Sequence, residues 1–251
     1  MKQTVLITGA SSGIGRATAQ ALAQKNFRLI LCGRRMERLE ALQSELEGIT
    51  EVHCLSFDVR DREAVEAAFS SLPEGFKQID VLINNAGNAH GLDPIQAGNY
   101  EDWDAMLDIN VKGLLYVSKE VIPQFIERKK GHILNIGSTA GKEVYPNGNV
   151  YCASKHAVDA LNQGMRIDLN KHNIRVGAIH PGLVETEFSE VRFKGDTERA
   201  AKVYQGYRPL QAADIADIIA FVLSRPYHVN IADLMVMSTD QASSTIVNKS
   251  N

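Results

Sequence analysis

Tyr151 and Lys155 stand four residues apart in Val150–Lys171, a stretch whose apolar residues recur at helical spacing, so both side chains share one helix face. A phenol is a poor base at an ordinary pKa of about 10, and an ammonium beside it stabilises the phenolate and draws that value toward neutrality. The pair alone is weak evidence, because a tyrosine above a lysine is more often packing plus a lysine stem lying on apolar surface. Ser138 adds to it. It follows the strand-like run His132–Ile136, at the carboxyl end where open parallel sheets bind ligands, although a plain turn hydroxyl in Gly137-Ser138-Thr139 is the bland reading. A base and a hydroxyl donor near one another would suit acid–base work.

A second group of residues suits phosphate. Val5-Leu6-Ile7 reads as a strand and runs into Thr8-Gly9-Ala10-Ser11-Ser12-Gly13-Ile14-Gly15, after which a helix begins near Arg16. Glycines let backbone N–H groups approach a pyrophosphate, and a helix N-terminus favours negative charge. The spacing is GxxxGxG rather than the commoner GxGxxG, and a bland turn explains the glycines if they are taken alone. The next strand ends Leu31-Cys32-Gly33-Arg34-Arg35, where an acid would bind a ribose 2′-hydroxyl. Two arginines there predict NADP rather than NAD, since a guanidinium pairs with a 2′-phosphate. Asp58-Val59 sits where adenine could be held, with Asp58 an alternative cap for a helix starting near Arg62.

These groups need a scaffold, and the pattern supplies one. Apolar runs at Thr4–Thr8, Arg28–Cys32, Val52–Phe57, Val81–Asn84, His132–Ile136, Arg175–Ile179 and Leu234–Met237 read as strands covered on both faces. Helical periodicity occupies Gly15–Gln24, Met36–Glu47, Arg62–Ser71, Trp103–Val117, Ile122–Lys129, Val150–Lys171 and Ala213–Ser224. The alternation predicts an α/β, doubly wound Rossmann fold with a seven-stranded, mostly parallel sheet. No linker or repeat divides residues 1–251, which read as one domain with a polar tail from about residue 239 that is expected to be partly disordered. With 44% hydrophobic and 23% charged residues and a net charge of −3, disorder and polyanion binding are disfavoured. Cys32, Cys54 and Cys152 form neither CxxC nor Cys/His spacing, so no metal site and no disulfide framework is expected. The absence of a signal-like or membrane-spanning stretch predicts a cytoplasmic protein without membrane or nucleic-acid partners.

Gly9/Gly13/Gly15, Asn84-Asn85-Ala86-Gly87, Asn110, Ser138 and Tyr151/Lys155, in this order, resemble the short-chain dehydrogenase/reductase family over nearly the whole chain. The resemblance implies a nicotinamide cofactor, hydride transfer at a carbinol or carbonyl carbon, and a homotetramer. It makes Tyr151 the general acid/base, Lys155 its pKa-lowering neighbour and a holder of the nicotinamide ribose, Ser138 the group that orients the substrate oxygen, and Asn110 the anchor of a water relay. Asn85, Ala86 and Gly87 would lie beside the cofactor, although a tight turn is their bland reading. Pro181, Gly182, Val184 and Thr186 resemble the nicotinamide-side loop. Gly137–Gly141, Gly148–Tyr151, Val191–Asp196 and His228–Ile231 further resemble the NADP-dependent 3-hydroxy acid dehydrogenase branch, which includes serine and L-allo-threonine dehydrogenases. That branch implies oxidation of a β-hydroxyl to a 3-oxo acid able to lose carbon dioxide, and the reverse reduction of malonic semialdehyde. In the short loop at about 183–210, Arg192 is the candidate for a substrate carboxylate, unless it is an ordinary surface charge. Reduction of an uncharged ketone, diketone or sugar, and NADP sensing without turnover, are the alternatives.

Overall fold

The computed structural model describes residues 2–249. The first half of the chain runs β1 (Thr4–Thr8), α1 (Gly13–Ala23), β2 (Arg28–Gly33), α2 (Met36–Leu46), β3 (Val52–Ser56), α3 (Arg62–Ser70) and β4 (Val81–Asn84). It continues through α4 (Tyr100–Leu107), α5 (Leu114–Arg128), β5 (Gly131–Ile136), α6 (Asn149–Asn170) and β6 (Ile174–Pro181). The last part holds β7 (Val184–Glu185), α7 (Phe188–Arg192), α8 (Thr197–Val203), β8 (Leu210–Gln211), α9 (Ala212–Leu223) and β9 (Asp233–Val236).

Seven strands form one sheet in the order β3-β2-β1-β4-β5-β6-β9, and every pairing in it is parallel. Successive residues of each strand feed opposite layers. Val5 and Ile7, Leu29 and Leu31, and Val81 and Ile83 pack with Ala19, Leu22, Leu39 and Ile219 of α1, α2 and α9. Leu6, Ile30 and Leu82 pack on the other face with Val65, Val117, Val121, Phe125 and Leu169 of α3, α5 and α6. This is why the strands read as continuous apolar runs, and each fully buried Leu or Ile contributes about 1.5–3 kcal/mol. The strand order reverses between β1 and β4, and the crevice at the carboxyl ends opens there.

Three expectations change. The helices expected at Trp103–Val117 and Ile122–Lys129 are one run from Tyr100 to Arg128, with a π-helical turn at Asp108–Gly113 between α4 and α5. Pro123 lies inside α5 without breaking it. Pro123 and Lys119, whose carbonyl loses its partner, both face solvent, while Val117, Val121 and Phe125 hold the opposite face in the core. The loop at 183–210 is structured rather than plain: β7 pairs parallel with β8, and α7 and α8 lie between them. The tail expected to be disordered folds back instead. Gln241 is 5% exposed and bridges to Val247, and its Oε1 accepts from Leu183 N at 2.9 Å.

Candidate active site

The site begins where β1 stops. Thr8 Oγ1 accepts from the backbone N–H groups of Asn85 at 3.0 Å and Ala86 at 2.9 Å, and Asn85 Nδ2 donates to Thr8 O at 2.9 Å. These bonds lock the glycine loop to the end of β4. Gly9 has φ +66°, and a Cβ there would come within 2.9 Å of Asn85 Nδ2 and 3.0 Å of Ala86 Cα. Only glycine fits this approach. Ser12 caps α1 with its side chain uncommitted, and the first turn carries no acid, so the helix N-terminus presents free donors to an anion. Gly15 lies against the Gly9 carbonyl, behind the loop rather than in the crevice.

Arg34 and Arg35 follow β2. Arg34 reaches Asp58 at 3.8 Å with 63% of its side chain exposed, whereas Arg35 donates to Ser11 Oγ at 3.1 Å and to Glu187 at 3.2 Å. Asp58 does not cap α3, because Asp61 does so by accepting from Ala64 N at 3.0 Å. Asp58 instead grips Arg60 at 2.7 Å. Burial alone would raise the Asp58 carboxyl, but hydrogen bonds and charge from Arg60 hold it below the usual range.

The π turn drops Asn110 inward. Its Oδ1 accepts from Asn88 N at 2.8 Å, and its Nδ2 donates to Asn88 O and to Ser154 Oγ, both at 2.9 Å. Asn110 thus stands behind the Gly87-Asn88 wall and pins it to α6, outside the crevice itself. A Cβ on Gly87 would sit 3.1 Å from Asn110 Oδ1 and 3.4 Å from Lys155 Nζ, so a side chain there would press on both.

Tyr151 and Lys155 project from the first turns of α6, and Ser138 from the turn after β5. Burial pushes the Tyr151 phenol above its ordinary value, more than a hydrogen bond from Ser138 and the charge of Arg192 pull it back. Lys155 Nζ donates to the Ile136 carbonyl at 3.0 Å, and burial pushes its ammonium down to about 8. The Arg192 guanidinium also brings a positive charge to bear on the phenol. The Arg192 guanidinium lies 5.1 Å from the Tyr151 ring centre and donates to Tyr145 Oη at 2.5 Å. Its Nε donates to Gly91 O at 3.3 Å, and its own carbonyl accepts from Gly91 N at 2.9 Å.

All these walls enclose one cavity of about 930 Å³. Gly9, Ser11, Ser12, Gly13 and Ile14 line it with Arg34, Arg35, Asp58 and Val59 at one end. Asn85, Ala86, Gly87, Ser138, Tyr151, Lys155 and Arg192 line the rest, with Pro181, Gly182, Val184 and Thr186 across from them. The glycine cradle, the acid-free helix N-terminus and the paired arginines fit a dinucleotide carrying an extra phosphate.

The family model described as short chain dehydrogenase matches residues 3–197. The chain belongs to the short-chain dehydrogenase family. It is similar to the NADP-dependent 3-hydroxy acid dehydrogenase YdfG of Salmonella typhi, with 45% identity over 239 residues covering 95% of this chain and 96% of the relative. It is 43% identical over 242 residues to the serine 3-dehydrogenase of Rhizobium radiobacter, covering 96% of each. The solved closed form of a serine dehydrogenase complexed with NADP+ superposes with a TM-score of 0.92 at 43% identity, over 96% of this chain and 97% of that one.

In this short-chain dehydrogenase, several lining residues escaped the reading of the sequence. Tyr145 sits in a Tyr-Pro-Asn-Gly turn with no periodicity to flag it, whereas Phe188 belongs to the loop that the sequence marks for the substrate and meets the Tyr151 ring edge-on at 5.7 Å from a five-residue helix. Gln241, Ser244 and Thr245 of the tail line the wall beside Thr139, and Ser244 Oγ lies 3.1 Å from Thr139 Oγ1. Behind that wall Asp159, His180 and Asp233 cluster, with the Lys142 ammonium 2.8 Å from Asp159 and 2.5 Å from Asp233. Among the described residues no helix is long and apolar enough to cross a membrane.

Proposed function

We propose that this short-chain dehydrogenase transfers hydride between NADP(H) and a small 3-hydroxy acid or its 3-oxo counterpart. Arg192 carries this reading: a guanidinium anchored on both sides of its chain by Gly91 is held over the ring of Tyr151, inside the cavity. A cation fixed that close to an acid–base group suits a substrate whose carboxylate is separated from its hydroxyl carbon by one carbon. The names of the relatives support it.

The nicotinamide, when bound, supplies the acceptor or donor of the hydride. The loop from Gly9 to Ile14 would hold the pyrophosphate, Arg34 the 2′-phosphate with Arg35 beside it, and Asp58 and Val59 the adenine edge. Asn85, Ala86 and Gly87 on one side, and Pro181, Gly182, Val184 and Thr186 on the other, would flank the nicotinamide half. Tyr151 takes the substrate hydroxyl proton in oxidation and returns it in reduction, while Ser138 donates to the same oxygen as charge develops there. Lys155 holds the ribose side, and Asn110 keeps the Gly87-Asn88 wall in register with α6.

The cavity also favours a plain hydroxy acid over an amino acid. Its lining acids among the described residues are Asp58 and Glu187, and both are paired with arginines at the adenine end. On the wall of this cavity an ammonium beside Tyr151 would find no carboxylate among the described residues, while Asp93 and Asp102 line a separate small pocket that also touches Tyr151 and Arg192. NADP reduction measured with 3-hydroxypropanoate, 3-hydroxyisobutyrate, L-serine and L-allo-threonine, with Tyr151→Phe as the blank, tests the reading. The hydroxy acids are expected to show the higher kcat/KM. Turnover of uncharged alcohols and ketones alone would favour the reductase alternative.

A further inference from the structure

One carboxylate ties the substrate-side loop to the opposite wall of the cavity. Glu187 Oε1 accepts from Arg38 Nη1 at 2.7 Å, and Oε2 accepts from Arg35 Nη1 at 3.2 Å. Arg35 Nη2 in turn donates to Ser11 Oγ in the glycine loop at 3.1 Å. Arg35 caps α2 and Arg38 sits in its first turn, so Glu187 also lies at a helix N-terminus, where a negative charge is favoured. The residues beside Glu187 serve the site. Thr186 rests on the glycine loop, 3.4 Å from where a Cβ on Gly13 would be, Phe188 packs on Tyr151, and α7 ends in Arg192.

The arginines are not equivalent. Arg35 is committed to Ser11 and Glu187, and Arg38 stands outside the cavity. Arg34 lines the cavity and keeps only a loose contact to an Asp58 that Arg60 already neutralises. Burial alone would raise Glu187, yet hydrogen bonds from Arg38 and Arg35 hold its carboxyl below the usual range, so the carboxylate is present at neutral pH.

We propose that Glu187 is a positioning residue: with Arg35 and Arg38 it clasps the β7–α7 segment across the mouth of the cavity, over the bound nucleotide, and leaves Arg34 to read the 2′-phosphate. The clasp rests on the NADP reading for its occupant, but the contacts that form it belong to the protein alone. It connects cofactor side and substrate side, because the same segment delivers Phe188 and Arg192 to Tyr151. A single exposed ion pair holds little, whereas one carboxylate shared by two arginines and backed by Ser11 forms a network.

The test uses Glu187→Gln, Arg38→Gln and Arg34→Ala in the full-length protein. Amide hydrogen exchange across residues 184–193 without nucleotide reads the clasp, and fluorescence titration with NADPH and NADH reads the cofactor. Glu187→Gln and Arg38→Gln are expected to raise exchange in that segment and to weaken NADPH and NADH by the same factor, about fivefold. Arg34→Ala is expected to weaken NADPH alone and leave the exchange unchanged. Unchanged exchange in Glu187→Gln would overturn the clasp. So would NADPH binding that tightens in Glu187→Gln while NADH binding does not, since the carboxylate would then be a rival of the 2′-phosphate. Failure of the unaltered protein to bind NADPH contradicts the cofactor reading instead, and the exchange data still decide the clasp.

Discussion

Lys155 shows what the site asks of one residue. The residue is 6% exposed, and burial pushes its ammonium pKa down to about 8 from 10.5 in the unfolded chain. Below pH 8 both states carry the proton and the fold holds a charge that burial disfavours. Between about 8 and 10.5 the unfolded chain binds more protons, so this penalty fades as pH rises. The effect of Lys155→Met on stability should therefore be more favourable at pH 7 than near pH 10.5, by about 3 kcal/mol, with activity lost throughout. Urea denaturation at the two pH values checks it, and an effect that is the same at both would contradict the burial penalty. Tyr151→Phe keeps the ring against Phe188 and removes only the hydroxyl, so turnover should fall by at least about 10²-fold while the fold persists.

At the scale of elements, the helix-capping pattern gives a direct comparison. Asp61, not Asp58, accepts from the first turn of α3, so Asp61→Ala should cost about 1 kcal/mol in thermal or urea unfolding. Asp58→Ala frees Arg60 at the adenine end and should cost less, since that pair is largely exposed. Equal losses would mean that the cap is not what holds α3. The same contrast explains what the sequence could and could not disclose. Strands such as Val5-Leu6-Ile7 announce themselves because each residue is buried in one of two layers, and the glycine loop and the Tyr151/Lys155 spacing are local patterns. Phe188 and Glu187 stand in a loop that the sequence marks for the substrate, but their contacts, like those of Tyr145, are not legible in this way, since the partners Tyr151, Arg35 and Arg192 are distant in sequence and only the fold brings them close. The π turn was hidden for a related reason: Asn110 reads as a poor helix former, and what holds it is Asn88 and Ser154 from other elements.

For the molecule as a whole, the tail completes the cavity wall. Gln241 accepts from Leu183 N, Ser244 meets Thr139, and Arg208 N donates to Asp240 Oδ2 at 3.1 Å, so the link between β6 and β7, the turn after Ser138 and the segment before β8 are held together. Ending the chain at Ser238 should lower thermal stability and raise KM for the hydroxy acid severalfold. A truncated protein with unchanged KM would show that the tail lies on the cavity without shaping it. Leu107, Leu115 and Ile167 are exposed at 39%, 38% and 75% on α4, α5 and α6, and a homotetramer joined through these helices would cover them. Light scattering should return four times the 27.6 kDa chain mass. The central claim joins Arg192 to the substrate carboxylate above Tyr151. The most direct measurement is the steady-state rate of NADP reduction with 3-hydroxypropanoate in the unaltered protein and in Arg192→Ala. KM for the acid is expected to rise by about tenfold or more in the variant, and by a larger factor than KM for an uncharged alcohol. An unchanged KM for the acid would contradict it.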